Sequence, residues 1–90
     1  LGIPAEPLFR SASTLNAYSI TGQTKTAYAG RFKIRENGSS TAIYTSTTNE
    51  SSYQYTPANT TMTYFVCELY QAGGTSTLLD SQTVVITSDG

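Results

Sequence analysis

The sequence predicts an all-β protein, an antiparallel β-sandwich of about seven strands. Three observations carry that prediction. Side chains alternate at period two, most clearly where Tyr28, Gly30, Phe32 and Ile34 interleave with Arg31, Lys33 and Arg35. Turn signals recur at the roughly 8–12-residue spacing of a sandwich, and no segment carries a helical period. Serine and threonine make up about 30 per cent of the chain, well above ordinary globular usage. Threonine favours strands and serine favours turns, so this bias suits sheets with polar outer faces.

Residues 1–13 form a lead-in. Pro4 and Pro7 cannot donate to a ladder, so the segment holds at most one edge strand, beginning near Leu8. Residues 14–20 form the next strand, with Leu15, Ala17 and Ser19 on one face and Asn16, Tyr18 and Ile20 on the other, and Thr21-Gly22-Gln23 turns the chain. Residues 26–36 alternate most cleanly, and Gly30 inside them marks a bulge or a close backbone approach. Asn37-Gly38 is the strongest short hairpin signal in the chain. Residues 41–45 return as a short strand and residues 46–51 form a polar loop. Tyr53-Gln54-Tyr55 is a strand with both tyrosines on one side, ended by Pro57 and followed by a connection over residues 58–61. Residues 62–70 are the longest apolar run and the organising strand. Gly73-Gly74 marks another hairpin, and residues 78–87, rich in Val84, Val85 and Ile86, are the last strand. The sandwich therefore spans residues 14–87, and residues 88–90 begin a linker.

The register of the last hairpin follows from its faces. A loop of residues 72–76 pairs Gln71 with Thr77, and then sets Leu69 against Leu79, Cys67 against Ser81, Phe65 against Thr83 and Thr63 against Val85. That face carries no charge and is the expected core. A two-residue loop at Gly73-Gly74 instead sets Cys67 against Asp80, and a charge on a core face is costly without a partner. The longer loop places Glu68 opposite Asp80 on the outer face, where like charges repel unless Arg31, Lys33 and Arg35 lie alongside.

Composition excludes more than it assigns. Ninety residues with a net charge of −1 make one domain with no electrostatic case for nucleic acid. No stretch is long enough to insert into a membrane as a helix. The chain contains no histidine, which removes Ser-His-Asp and Cys-His nucleophiles and most zinc sites, and no Gly-rich phosphate loop, so no cofactor and no metal are expected. Cys67, the single cysteine, reads as a small core hydrophobe. Three sequons, at Asn37, Asn49 and Asn59, fall in expected loops. The chain begins at Leu1 rather than Met, which suggests a fragment or a processed product.

Three stretches together carry a family resemblance: Phe32-Lys33-Ile34-Arg35-Glu36-Asn37-Gly38, Ser52-Tyr53-Gln54-Tyr55-Thr56-Pro57 and Thr63-Tyr64-Phe65-Val66-Cys67. They resemble the bacterial and phage immunoglobulin-like modules of PKD-like and Big type, over residues 14–87. The chain departs from that pattern in lacking tryptophan and in a short segment between Gly22 and Phe32. The resemblance implies a non-catalytic module, extracellular at a cell surface or in a virion, that spaces, displays or adheres. Its partners are neighbouring domains or subunits of the same assembly.

Tyr64 and Tyr70 are placed by parity on the outer face with Val66, Val84 and Ile86, and Arg31 and Arg35 lie beside them. These four residues are the candidate contact for a partner or, alternatively, for a surface glycan in an accessory module of a secreted hydrolase. A further alternative is a filament subunit that donates residues 1–8 to the open sheet edge of its neighbour, since Leu1, Ile3 and Leu8 are spaced apolar residues.

Overall fold

A computed structural model describes residues 2–3, 8–9, 12–36, 39–57 and 63–87. The protein is all-β, with no helix among these residues. Nine strands follow in order: β1 (Leu8–Phe9), β2 (Ser13–Asn16), β3 (Tyr18–Thr21), β4 (Thr24–Ala27), β5 (Arg31–Glu36), β6 (Ala42–Thr45), β7 (Ser52–Tyr55), β8 (Tyr64–Tyr70) and β9 (Leu78–Thr87). The larger sheet has the order β1-β9-β8-β5-β6, and β2-β7 and β3-β4 form two smaller pairs. All pairings are antiparallel except the short one between β1 and β9.

There are two strands more than the sequence suggests, because two expected strands are each divided. Residues 14–20 change partner at Ala17. The Ala17 N–H donates to Ser51 O on the β7 side, while its carbonyl accepts from the Tyr28 N–H on the β4 side. Residues 26–36 divide at Tyr28 and Ala29, where the chain leaves β3 and joins β8 and β6. Gly30 makes that passage feasible. A Cβ there would sit 2.5 Å from the Tyr70 carbonyl oxygen and 2.6 Å from a Tyr28 ring carbon, so the close backbone approach expected from the sequence is present.

The core lies between the larger sheet and the β2-β7 pair. Phe32 and Ile34 of β5, Phe65, Cys67 and Leu69 of β8, and Val84 and Ile86 of β9 meet Leu15, Ala17 and Tyr55. Odd residues of β8 point inward as expected: Phe65, Cys67 and Leu69 are fully buried, while Glu68 is only half-buried. Ile3 closes one side of the core and is itself buried. The described parts of the N-terminal arm thus pair within their own chain, Gly2 with Tyr18 and β1 with β9. Met62, the Asn37-Gly38 turn and the connection over residues 58–61 lie outside the described residues.

The last hairpin corrects one expectation. The loop is as read, since the Gln71 N–H donates to Thr77 O and Tyr70 pairs with Leu78. Beyond that pair the register shifts by one, and Leu69 pairs with Asp80, Cys67 with Gln82 and Phe65 with Val84. A bulge at Leu79 therefore turns Val84 and Ile86 inward instead of Thr83 and Val85. The shift also brings Asp80 to the inner side of the sheet, the placement the sequence argument rejected for want of a partner. Partners exist: the Ile3 N–H donates to Asp80 Oδ2 at 3.1 Å, and the Gln82 amide donates to both carboxylate oxygens. Glu68 consequently faces Ser81, not Asp80, and the expected like-charge conflict does not arise.

Candidate functional site

The outer face of the larger sheet carries the residues singled out from the sequence. In β5 the alternation turns Arg31, Lys33 and Arg35 outward, and the antiparallel register sets them against Tyr70, Glu68 and Val66 of β8. Arg35 Nε lies 3.0 Å from Glu68 Oε1, and its guanidinium also donates to the Ser40 carbonyl. The Tyr70 hydroxyl donates to the same Glu68 oxygen at 3.1 Å, and Lys33 Nζ stands 5.6 Å from the Tyr70 ring centre. Burial raises the Tyr70 phenol above its usual range, and the Glu68 carboxylate adds to the effect. Arg31 Nε donates to Asn49 Oδ1 at 2.7 Å, and the same oxygen accepts the Gly73 N–H, tying the 46–51 loop to the β8–β9 hairpin.

The four sequence candidates therefore do not form one open platform. Arg31, Arg35 and Tyr70 belong to a knit layer of hydrogen bonds and the Arg35–Glu68 ion pair, and Tyr70 is only 8% exposed, so its ring offers no face for stacking. Tyr64 lies further along β8, half-buried and paired with Val85. Val85 is 54% exposed, which makes the strip Tyr64–Val85, with Val66 beside it, the apolar part of this face.

A second feature lies at the opposite edge of the sandwich, where β6 and β7 each end a sheet among the described residues. Between them opens a cleft of about 360 Å³, walled by Tyr44, Tyr53 and Tyr55. Glu36, Ile43, Gln54 and Thr56 complete its lining. The Tyr44 and Tyr53 rings stack at 3.8 Å between centres and 12° between planes. Tyr55 is tilted against Phe65 at 5.0 Å and so belongs partly to the core. A polar network fixes Tyr44 from behind. Its hydroxyl donates to Glu50 Oε1 at 2.6 Å, the Ser46 hydroxyl donates to the same oxygen, and Ser46 Oγ accepts the Phe32 N–H at 2.8 Å. Burial is the main cause that raises the Tyr44 and Tyr55 phenols, Tyr55 to about 12, with Glu50 and Glu36 as the nearby charges that add to it.

From the sequence, Tyr53 and Tyr55 are expected on one side of a strand, and Tyr44 has no assigned role. The signal available was a Tyr-x-Tyr strand following an Ile-Tyr strand, but nothing local says that the two strands are edges facing one another. Cys67 is fully buried, and desolvation pushes its thiol up to about 12, with Asp80 and Glu68 adding to the shift. Among the described residues no cluster of His, Cys, Asp and Glu is arranged to hold a metal ion. Asn49, the one sequon asparagine within the described residues, is exposed. Comparison with protein-family models, curated proteins and solved structures finds no match.

Proposed function

We propose that the chain is a non-catalytic, immunoglobulin-like module of a larger extracellular assembly, a bacterial surface or phage virion protein, that acts in spacing, display or subunit contact. The observation that carries this reading is the apolar strip on the outer face of the larger sheet, with Val85 54% exposed beside Tyr64. Isolated exposed hydrophobes are ordinary, but apolar residues paired on two neighbouring strands, at the end of the sheet where β8 begins, suit cover by a neighbouring domain or subunit. The strand order supports the immunoglobulin-like part of the reading. β6-β5-β8-β9 form one layer, β2 and β7 pair in the other, and the first strand runs parallel to the last. The carboxylates that chemistry would need are engaged in holding the fold: Glu50 on Tyr44 and Ser46, Glu68 on Arg35 and Tyr70, Asp80 on the Ile3 amide.

The test is photo-crosslinking in the native gene product. A benzophenone amino acid at Val85 is expected to capture an adjacent domain or subunit, while the same group at Thr26, exposed on β4, captures none. Equal yields at the two positions, or no adduct at Val85, would refute the proposed contact.

A further inference from the structure

The cleft between β6 and β7 is separate from the outer-face strip, and its chemistry is different. We infer that it binds one neutral sugar ring, a pyranose unit of a glycan, against the Tyr44–Tyr53 tier.

The ring geometry selects the ligand class. Tyr44 and Tyr53 lie parallel at 3.8 Å, so their facing surfaces are already used on each other. A closed cage around a cation needs rings turned toward one centre with space between them, and this pair leaves none. What a parallel pair can accept is a third flat layer on its outer side, and the C–H face of a pyranose is such a layer. The lining includes polar residues of the kind the edge of a sugar requires. Gln54 offers an amide that both donates and accepts, and Thr56 offers a hydroxyl that does the same, which matches the dual character of each sugar hydroxyl. Gln54 and Thr56 are both exposed.

Charge and size narrow the choice further. Glu36 lines the cleft, and Glu50 stands behind Tyr44 at hydrogen-bond distance. Their field disfavours phosphates, uronic acids and other anions, which leaves neutral sugars. A volume of about 360 Å³ lies at the small end of ligand pockets and suits one ring with its substituents. The platform is also set in advance, because the chain from the Phe32 amide through Ser46 and Glu50 holds the Tyr44 hydroxyl whether or not ligand is present. Binding therefore does not have to order that ring.

The experiment is saturation-transfer NMR on the intact chain with the methyl glycosides of glucose, galactose, mannose and N-acetylglucosamine, each at millimolar concentration, beside tetramethylammonium as a cationic probe. At least one glycoside is expected to receive saturation and to shift the Tyr44 and Tyr53 ring signals. Gln54→Ala, an exposed change that leaves the core intact, is expected to weaken that binding by roughly three- to tenfold, the scale of one hydrogen bond. Tyr53→Leu is expected to abolish it, with the dispersed amide spectrum reporting that the sheet survives. Val85→Lys, on the outer face, is expected to leave it unchanged, which keeps this test separate from that of the contact surface. Transfer to none of the four glycosides overturns the inference. So does equal binding by the wild type and Gln54→Ala, or a response to tetramethylammonium alone.

Discussion

Gly30 shows how much one missing methyl group decides. Its place in the passage from β4 to β5 brings the backbone against the Tyr70 carbonyl, a group that cannot swing aside as a side chain could. Gly30→Ala is expected to lower the unfolding free energy by about 1–3 kcal/mol, as overpacking does, read from the shift of a urea midpoint. Cys67 makes a different prediction, about pH. The fold holds the neutral thiol, so its folded-state value, about 12, stands above the ordinary 9.0. Its contribution is fully present below 9.0 and is lost as pH rises from there through about 12. Tyr55 acts in the same direction from 10.0 to about 12. The urea midpoint is therefore expected to hold at neutral pH and to fall in alkaline solution. Cys67→Ala, at a cost of about 1 kcal/mol for the small cavity, is expected to begin that fall at higher pH than the wild type. Both residues were legible in the sequence, because a lone glycine in an alternating strand and a cysteine in an apolar run are local signals. The stacked pair of Tyr44 and Tyr53 was not, since it depends on two edges meeting in space.

At the scale of elements, β9 is the instructive case. Its existence and length follow from composition, and the loop before it follows from Gly73-Gly74. Its inward face does not. Leu78, Leu79, Asp80 and Ser81 contain no glycine or proline to mark a bulge, and the choice between two registers is made far away, by the Ile3 amide that Asp80 accepts. Once that partner exists, the bulged register gains Val84 and Ile86 for the core, and the charge on the inner side is satisfied. Asp80→Ala is accordingly expected to loosen the N-terminal segment. Hydrogen exchange at the Ile3 and Tyr18 amides should rise, with a loss of about 1–2 kcal/mol in global stability. Asp80→Asn keeps an acceptor and should restore most of the protection. If the two variants exchange alike, Asp80 is not the clasp. The outer-face alternation of β5 was legible, and so was the meeting of its basic residues with Glu68, because period two in one strand and a neighbour of opposite charge are sufficient to place both; Asp80, expected beside them, lies on the inner side with the Ile3 amide instead.

The whole molecule is two layers around one core. Its Cα extents of 37 × 28 × 18 Å are thinnest across the layers, as two sheets packed about 10 Å apart require. Neither layer buries its apolar face without the other, so the two are expected to unfold together. Leu15→Ala in β2 and Leu69→Ala in β8 should each cost about 2–5 kcal/mol. Each should keep a single transition with coincident tyrosine fluorescence and far-ultraviolet signals. Two transitions in either variant would separate the layers. The all-β class was legible because period two, turn spacing and a missing helical period agree. The strand divisions at Ala17 and at residues 28–29 were not, because a strand does not record in its own residues where it changes neighbours.

The parallel pairing of β1 with β9 bears on mechanics. Two strands that run side by side in the same direction put the incoming end of one and the outgoing end of the other at opposite poles. Tension applied through those ends would pull the strands past one another, along the sheet and across its hydrogen bonds. The bonds linking Leu8 and Phe9 to Ile86 and Thr87 would then share the force and give way together, instead of opening one after another as a hairpin does when it is peeled.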